Sequence, residues 1–165
     1  SLLTELRLLE IDGHIQKIIP APEGGFYVHP RFLNEQELVV ALRWSDARIS
    51  WHKVNIVTDA VTELLPKTTT TTGFPFVSNG QLYFVSSVSG RDELYRLNIT
   101  NNTLELMETD GVGAYFPSVY QNKLLWSRFT SNGFRMQAMS LDSVGRKTVS
   151  VQAWRTPVAP YIVAR

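Results

Sequence analysis

The chain has 165 residues, enough for a substantial buried core, and its 16 Lys plus Arg against 15 Asp plus Glu leave a formal charge of +1 with the signs interspersed. That balance makes nucleic acid and anionic membrane surfaces poor partners, and the absence of cysteine removes disulfides, thiolate nucleophiles and cysteine-ligated zinc. No stretch approaches the ~18 apolar residues of a membrane-spanning helix, and the N-terminus lacks a basic region followed by a long apolar core, so the chain reads as a soluble piece without direct membrane insertion.

Apolar and polar residues alternate along most of the chain, which predicts short strands throughout. Leu8-Leu-Glu-Ile-Asp and His14-Ile-Gln-Lys-Ile-Ile-Pro form a first pair. After them, Pro30, Pro75, Pro117 and Pro160 recur at intervals of 45, 42 and 43 residues. Each of the first three prolines is followed by a run opened by leucine: Leu38-Val-Val-Ala-Leu, Leu82-Tyr-Phe-Val and Leu124-Leu-Trp-Ser. A third run follows each, around His52-Lys-Val-Asn, Tyr95-Arg-Leu-Asn and Gln137-Ala-Met-Ser. A fourth closes each unit at Val61-Thr-Glu-Leu-Leu, Thr103-Leu-Glu-Leu-Met and Thr148-Val-Ser-Val-Gln.

Four strands, a to d, repeating every ~43 residues are what a β-propeller blade requires. The chain therefore reads as an all-β propeller segment of four-stranded antiparallel blades. Residues 1–22 supply strands c and d of a partial blade, 26–66, 72–109 and 114–153 three complete blades, and 157–165 the first strand of a next one. The d-to-a and b-to-c turns share one face of such a fold and are the longer and more aromatic ones, where binding residues usually sit. Tyr27, His29 and Arg31 alternate at the head of an inner strand, from which side chains can reach a central channel. The candidate ligand-binding residues are Tyr27, His29, Arg91, Asp92, Tyr115 and Arg128, at the channel mouth and on the long-loop face.

The second and third repeats resemble the TolB-like, or WD40-like PD40, β-propeller family, whose repeat opens with Pro and an aromatic residue and runs through a Ser-Pro-Asp-Gly type turn. Here the matching residues are Pro75-Phe76, Ser78-Asn79-Gly80, Leu82-Tyr83-Phe84, Gly90 and Leu94-Tyr95, then Pro117, Gln121-Asn122, Leu124-Leu125-Trp126, Gly133 and Met136-Gln137. Asn replaces the turn Asp at Asn34, Asn79 and Asn122, a change that a left-handed turn position tolerates. The resemblance implies the propeller fold and a place in the bacterial cell envelope, periplasmic or extracellular.

Searches for catalytic patterns return little. His14, His29 and His52 have no metal-ligand spacing, the predicted inner strands hold no Asp or Glu for glycoside hydrolysis, and no Gly-x-Ser-x-Gly elbow or phosphate loop occurs. No cofactor and no metal are expected. Trp44, Phe84, Tyr95 and Trp126 fall where large rings pack between blades, whereas Tyr27, Phe74, Tyr115 and Phe116 cluster before the recurrent prolines and can either pack or rim the mouth.

The expected function is a non-catalytic module for protein or peptide interaction, with another chain or segment completing the propeller. One alternative is the gating propeller of a larger peptidase or hydrolase, and another is a carbohydrate-binding propeller. A four-blade closure, in which the N-terminal strand pair and the last strand share a composite blade, also stays open.

Overall fold

In the structure, a computed structural model, residues 4–110 and 113–155 are described. They form fourteen strands and one short helix, and the chain divides between Lys67 and Thr68 into two compact units. The link lies in a polar threonine run, of which Thr68 and Thr72 are buried and Thr69 and Thr71 exposed.

The first unit opens with a hairpin of β1 (Glu5–Leu9) and β2 (Ile15–Pro20), then a four-stranded antiparallel meander of β3 (Gly25–Phe32), β4 (Glu37–Trp44), β5 (Ile49–Asn55) and β6 (Val61–Thr68). These are the expected strand pair and first blade. Alternation puts Leu6 and Leu8 of β1 and Ile19 of β2 on one face, and they pack with Leu38, Val40 and Val54 of the blade. Ile19, Val40 and Val54 are at most 1% exposed. Burial of such side chains contributes about 1.5–3 kcal/mol each and fixes the register, because a one-residue slip would turn the whole set to solvent.

The second unit holds β7 (Thr72–Ser78), β8 (Gln81–Ser86), β9 (Glu93–Asn98), β10 (Leu104–Glu108), β11 (Ala114–Tyr120), β12 (Lys123–Thr130), β13 (Gly133–Ser140), β14 (Gly145–Val149) and the helix α1 (Val151–Arg155). Strands β7 to β10 are the second blade. Its Tyr83, Val85, Leu94 and Met107 pack on Ala114, Leu124 and Trp126 of β11 and β12, so two sheets meet through a shared apolar layer.

The third blade departs from expectation. Residues 114–153 read as four strands of one blade, but β11, β12 and β13 form a three-stranded sheet, and β14 joins the outer edge of β10 in an order β14-β10-β9-β8-β7. One ion pair joins the two strands, between Lys147 of β14 and Glu108 of β10, whereas Glu105 of β10 is taken up by Arg96 of β9 and β13 carries only Arg135. Lys147 Nζ lies 2.7 Å from Glu108 Oε1. Gly145 at the start of β14 leaves room for the Glu108 carboxylate, which a Cβ there would push aside. Residues 151–153, read as the end of a strand, belong to α1, whose Trp154 is completely buried with ring centroids 5.8 Å from Phe84 and 6.2 Å from Tyr95. The strand expected over 157–165, and with it the composite-blade closure, lies outside the described residues.

All three inner strands share one irregularity. The pairing register shifts between Val28 and Arg31, between Gly73 and Phe76, and between Tyr115 and Ser118, so each first strand carries a bulge at its recurrent proline. Proline has no N–H for the ladder, and a bulge is where a strand accommodates it. The preceding residue takes the left-handed conformation each time, at φ 58° for His29, 52° for Phe74 and 51° for Phe116. For non-glycine residues this costs on the order of 1 kcal/mol or more apiece.

Candidate functional site

The bulges decide which aromatics pack and which are displayed. Tyr27, two residues before its proline bulge, is half-buried against the first-unit core, and Tyr115 packs on the core of the second. Phe74 and Phe116, the left-handed residues themselves, are turned outward and are 41% and 61% exposed. Of the four pre-proline aromatics, two are structural and two are offered to solvent.

In the second unit they join a continuous ridge. The rings of Phe74 and Phe116 lie 4.4 Å apart, Phe74 meets Tyr115 edge-on at 6.1 Å, Tyr115 meets Phe134 at 5.8 Å, and Phe134 meets Phe129 at 5.3 Å. These are the contact distances of aromatic pairs, so the rings form a surface with no gap between them rather than a cage. Phe129 and Phe134, 54% and 58% exposed, face one another across the β12–β13 hairpin. Neither stands out in the sequence, where neither precedes a recurrent proline. The Thr130-Ser-Asn-Gly133 turn was the available signal, because it sets Phe129 opposite Phe134.

A polar rim borders the ridge. The Tyr115 hydroxyl donates to Asp92 Oδ2 at 2.7 Å, joining the first strand of the third blade to the b-to-c loop of the second. This bond, reinforced by burial and by the Asp92 charge, pushes the Tyr115 hydroxyl up to about 12, so it remains a neutral donor. Gly113, at φ 73°, makes the approach possible: a Cβ there would sit 2.7 Å from the Tyr115 ring. In the same loop Arg91 Nε donates to Glu93 Oε1 at 2.7 Å, and the Ser89 hydroxyl donates to Glu93 Oε2 at 2.5 Å.

The six candidate residues are therefore divided. Arg91, Asp92 and Tyr115 share one rim. Arg128 is paired across from Ala114 on β12, on the face of Leu124 and Trp126, and its buried Nε has no hydrogen-bond partner. Tyr27 and His29 belong to the first unit, where the Tyr27 hydroxyl donates to the Pro20 carbonyl at 3.3 Å. His29 is exposed, and partial burial of its ring with the charges of Arg31 and Arg43 holds its pKa below the usual histidine value.

The first unit also holds a Ser–His pair that the sequence did not reveal. Ser50 Oγ lies 2.8 Å from His52 Nε2 and accepts the Trp44 indole N–H at 2.7 Å, while Lys67 Nζ sits 3.6 Å over the Trp44 ring. Ser50 has no exposed surface, so no substrate carbonyl can reach its hydroxyl, and the pair is a buried polar brace. Burial, followed by the Lys67 charge, pushes His52 down to about 4. Among the described residues no three His, Cys, Asp or Glu side chains are grouped to hold a metal ion, and no helix is long and apolar enough to cross a membrane.

No protein-family model matches the chain, and neither does any curated protein. Solved structures do. A protein from Agrobacterium tumefaciens described as TolB superposes with a TM-score of 0.60 at 15% identity, over 79% of this chain and 54% of that one. Puromycin hydrolase gives 0.64 at 14% identity over 87% of this chain, and a Mycobacterium tuberculosis puromycin-hydrolyzing peptidase gives 0.64 at 12% over 96%. The chain spans about half the length of the first structure and about a quarter of the two hydrolases (54%, 23% and 25%).

At such identities the likeness is one of fold, and the fold is that of a β-propeller. That fold is shared with the Agrobacterium protein and with the two hydrolases.

Proposed function

We propose that this chain is a non-catalytic propeller module that binds protein or peptide partners in the bacterial cell envelope, with the aromatic ridge of the second unit as its contact surface. The observation that carries this reading is the display of Phe74 and Phe116. Both are outward-facing, both touch, and both are held in a backbone conformation that is costly for phenylalanine. The same bulge recurs at His29 of the first blade, so it is the pairing of two exposed rings, rather than the strain, that supports a contact surface. Rigid rings beside Arg91, Asp92 and Glu93 suit an extended peptide with apolar and charged side chains in alternation.

Selection of linear peptides against the immobilised chain tests it. The expected result is a set of related sequences whose binding is lost in Phe74→Ser and Phe116→Ser. A selection that yields no saturable binder, or binders indifferent to both changes, would overturn the proposal.

A second reading is favoured by the superposition of nearly the whole chain on two hydrolases, over 87% and 96% of its length. There the module is the propeller part of a larger peptidase, controlling access to chemistry located elsewhere. A Gly-x-Ser-x-Gly hydrolase element encoded in the same reading frame would establish this second role.

A further inference from the structure

The β12–β13 hairpin has two faces of opposite chemistry. Side chains alternate along a strand, so Phe129 and Phe134 lie on the ridge face, and their neighbours Arg128 and Arg135 turn to the other with Leu124 and Trp126. That second face is the one laid on the second blade, where Leu124 and Trp126 pack against Tyr83, Val85 and Leu94. The two arginines thus stand at the long-loop end of a layer between two blades of one unit.

The repeat makes their pairing unusual. Four residues after the leucine that opens each b strand come Leu42, Ser86 and Arg128, paired across to Ser50, Glu93 and Arg135 of the c strand. In the first two blades this level is closed. Leu42, Ser50 and Ser86 are at most 1% exposed, and the Ser86 hydroxyl donates to the Thr71 carbonyl at 3.1 Å. Ser50 is bonded to Trp44 and His52, and Glu93 to Ser89 and Arg91. In the third blade the same level holds two guanidinium groups directly opposite one another, and among the described residues neither has an ion pair or a hydrogen bond.

Such an arrangement is costly. Like charges at opposed positions repel, and a guanidinium drawn partly out of water without an acceptor is not repaid for its lost hydration. Arg128 is half-buried with its Nε enclosed. Two residues along on the same face, Trp126 is 3% exposed and its indole N–H also lacks an acceptor. Three donors share one face with nothing to receive them. The Asp92 carboxylate in the second blade's b-to-c loop is already engaged by Tyr115.

We infer that Arg128 and Arg135 form a binding site for a carboxylate, gripped between the two guanidinium groups. The paired N–H bonds of a guanidinium match both oxygens of a carboxylate in one plane, and a negative charge placed between two positive ones turns their repulsion into attraction. A polypeptide as the source, through its C-terminus or an acidic side chain, rests on the reading that the chain binds such partners. The site itself lies on the side of the hairpin away from the ridge.

Thermal melting of the whole chain at fixed ionic strength tests it with three probes: acetyl-Gly-Gly-Gly with a free C-terminus, acetyl-Gly-Gly-Asp amide, and the neutral acetyl-Gly-Gly-Gly amide. One or both acidic peptides should raise the midpoint, by about 3–6 °C at roughly ten times Kd, and the neutral one should not. Which of them acts tells a chain end from a side chain. Arg128→Leu, which installs the residue found at this level in the first blade, should melt higher than wild type without peptide and no longer respond to it. Arg135→Gln, at an exposed position, and Arg128→Lys, which keeps the charge without the fork, should each weaken binding roughly tenfold. Phe74→Ser and Phe116→Ser should respond as wild type does, which separates failure of this site from failure of the ridge. No response to either acidic peptide, an undiminished response in Arg128→Leu, or a lower midpoint for Arg128→Leu without peptide would overturn the inference. Stabilisation by inorganic phosphate but by neither acidic peptide would overturn the choice of a carboxylate.

Discussion

The first and third blades begin from the same sequence frame and end as different sheets. The first closes with its own fourth strand, β6, whereas the third gives its fourth strand to the sheet before it. Repeat register sets which residues become strands, because the alternation of apolar side chains is local. It does not set which edge the last strand joins. At the edge it joins, β14 meets Glu108 of β10 through Lys147, and Trp154 is buried just beyond the strand. The first blade thus keeps its own fourth strand, whereas the third lends its fourth strand to the second.

The comparison is broken most severely at Trp154. Trp154→Ala removes a fully buried ring that packs edge-on against the stacked Phe84 and Tyr95 and should cost about 3–5 kcal/mol. Urea unfolding would measure the loss, and hydrogen exchange should show β14 released from β10 while β3 to β6 keep their protection.

The first blade is tested through pH. His52 titrates near 6.5 when unfolded and at about 4 when folded, so between those values the unfolded chain binds more protons. Stability should be complete above about pH 6.5, fall by up to roughly 3 kcal/mol as pH drops towards 4, and change no further on this account below it. His52→Leu should flatten that slope in a series of urea midpoints.

Gly145→Ala sharpens the contrast at the strand exchange. The added methyl pushes aside the flexible, half-exposed Glu108 carboxylate and weakens its approach to Lys147, at an expected cost of about 1 kcal/mol read from the thermal midpoint. A similar effect is expected from Tyr115→Phe, which deletes the hydroxyl bond to Asp92 and should cost about 1 kcal/mol. Its signature is faster exchange in the Ser87 to Asp92 loop, with β12 and β13 unaffected.

Much of this fold is legible in the sequence. The proline intervals and the leucine-opened runs place the strands of the first two blades closely, and the Asn79-Gly80 turn lies between β7 and β8 as read. The ridge was half legible. Phe74, Tyr115 and Phe116 stood out by their place before proline, but that Tyr115 would pack and its neighbour project depended on a bulge, and a bulge leaves no mark in periodicity. Asp92 is legible as a candidate on the long-loop face, but its bond to Tyr115 needed two blades to be brought together. The pairing of β14 with β10 and the Ser50–His52 brace lay beyond local pattern for the same reason: each depends on neighbours distant in sequence or on burial.

The borrowed strand has a consequence for the order of folding. The second blade's sheet waits for β14, which the chain delivers only after the whole third blade has been made, so the outer edge of β10 stays unpaired through that interval. Long-range pairing of this kind is slow and leaves an open edge exposed to other chains. Glu108 lies on that edge, and the same charge that later receives Lys147 discourages a second β10 from pairing with it in the meantime. Pulse-labelled refolding should therefore find the amides of β10 that face β14 among the last in the second unit to become protected.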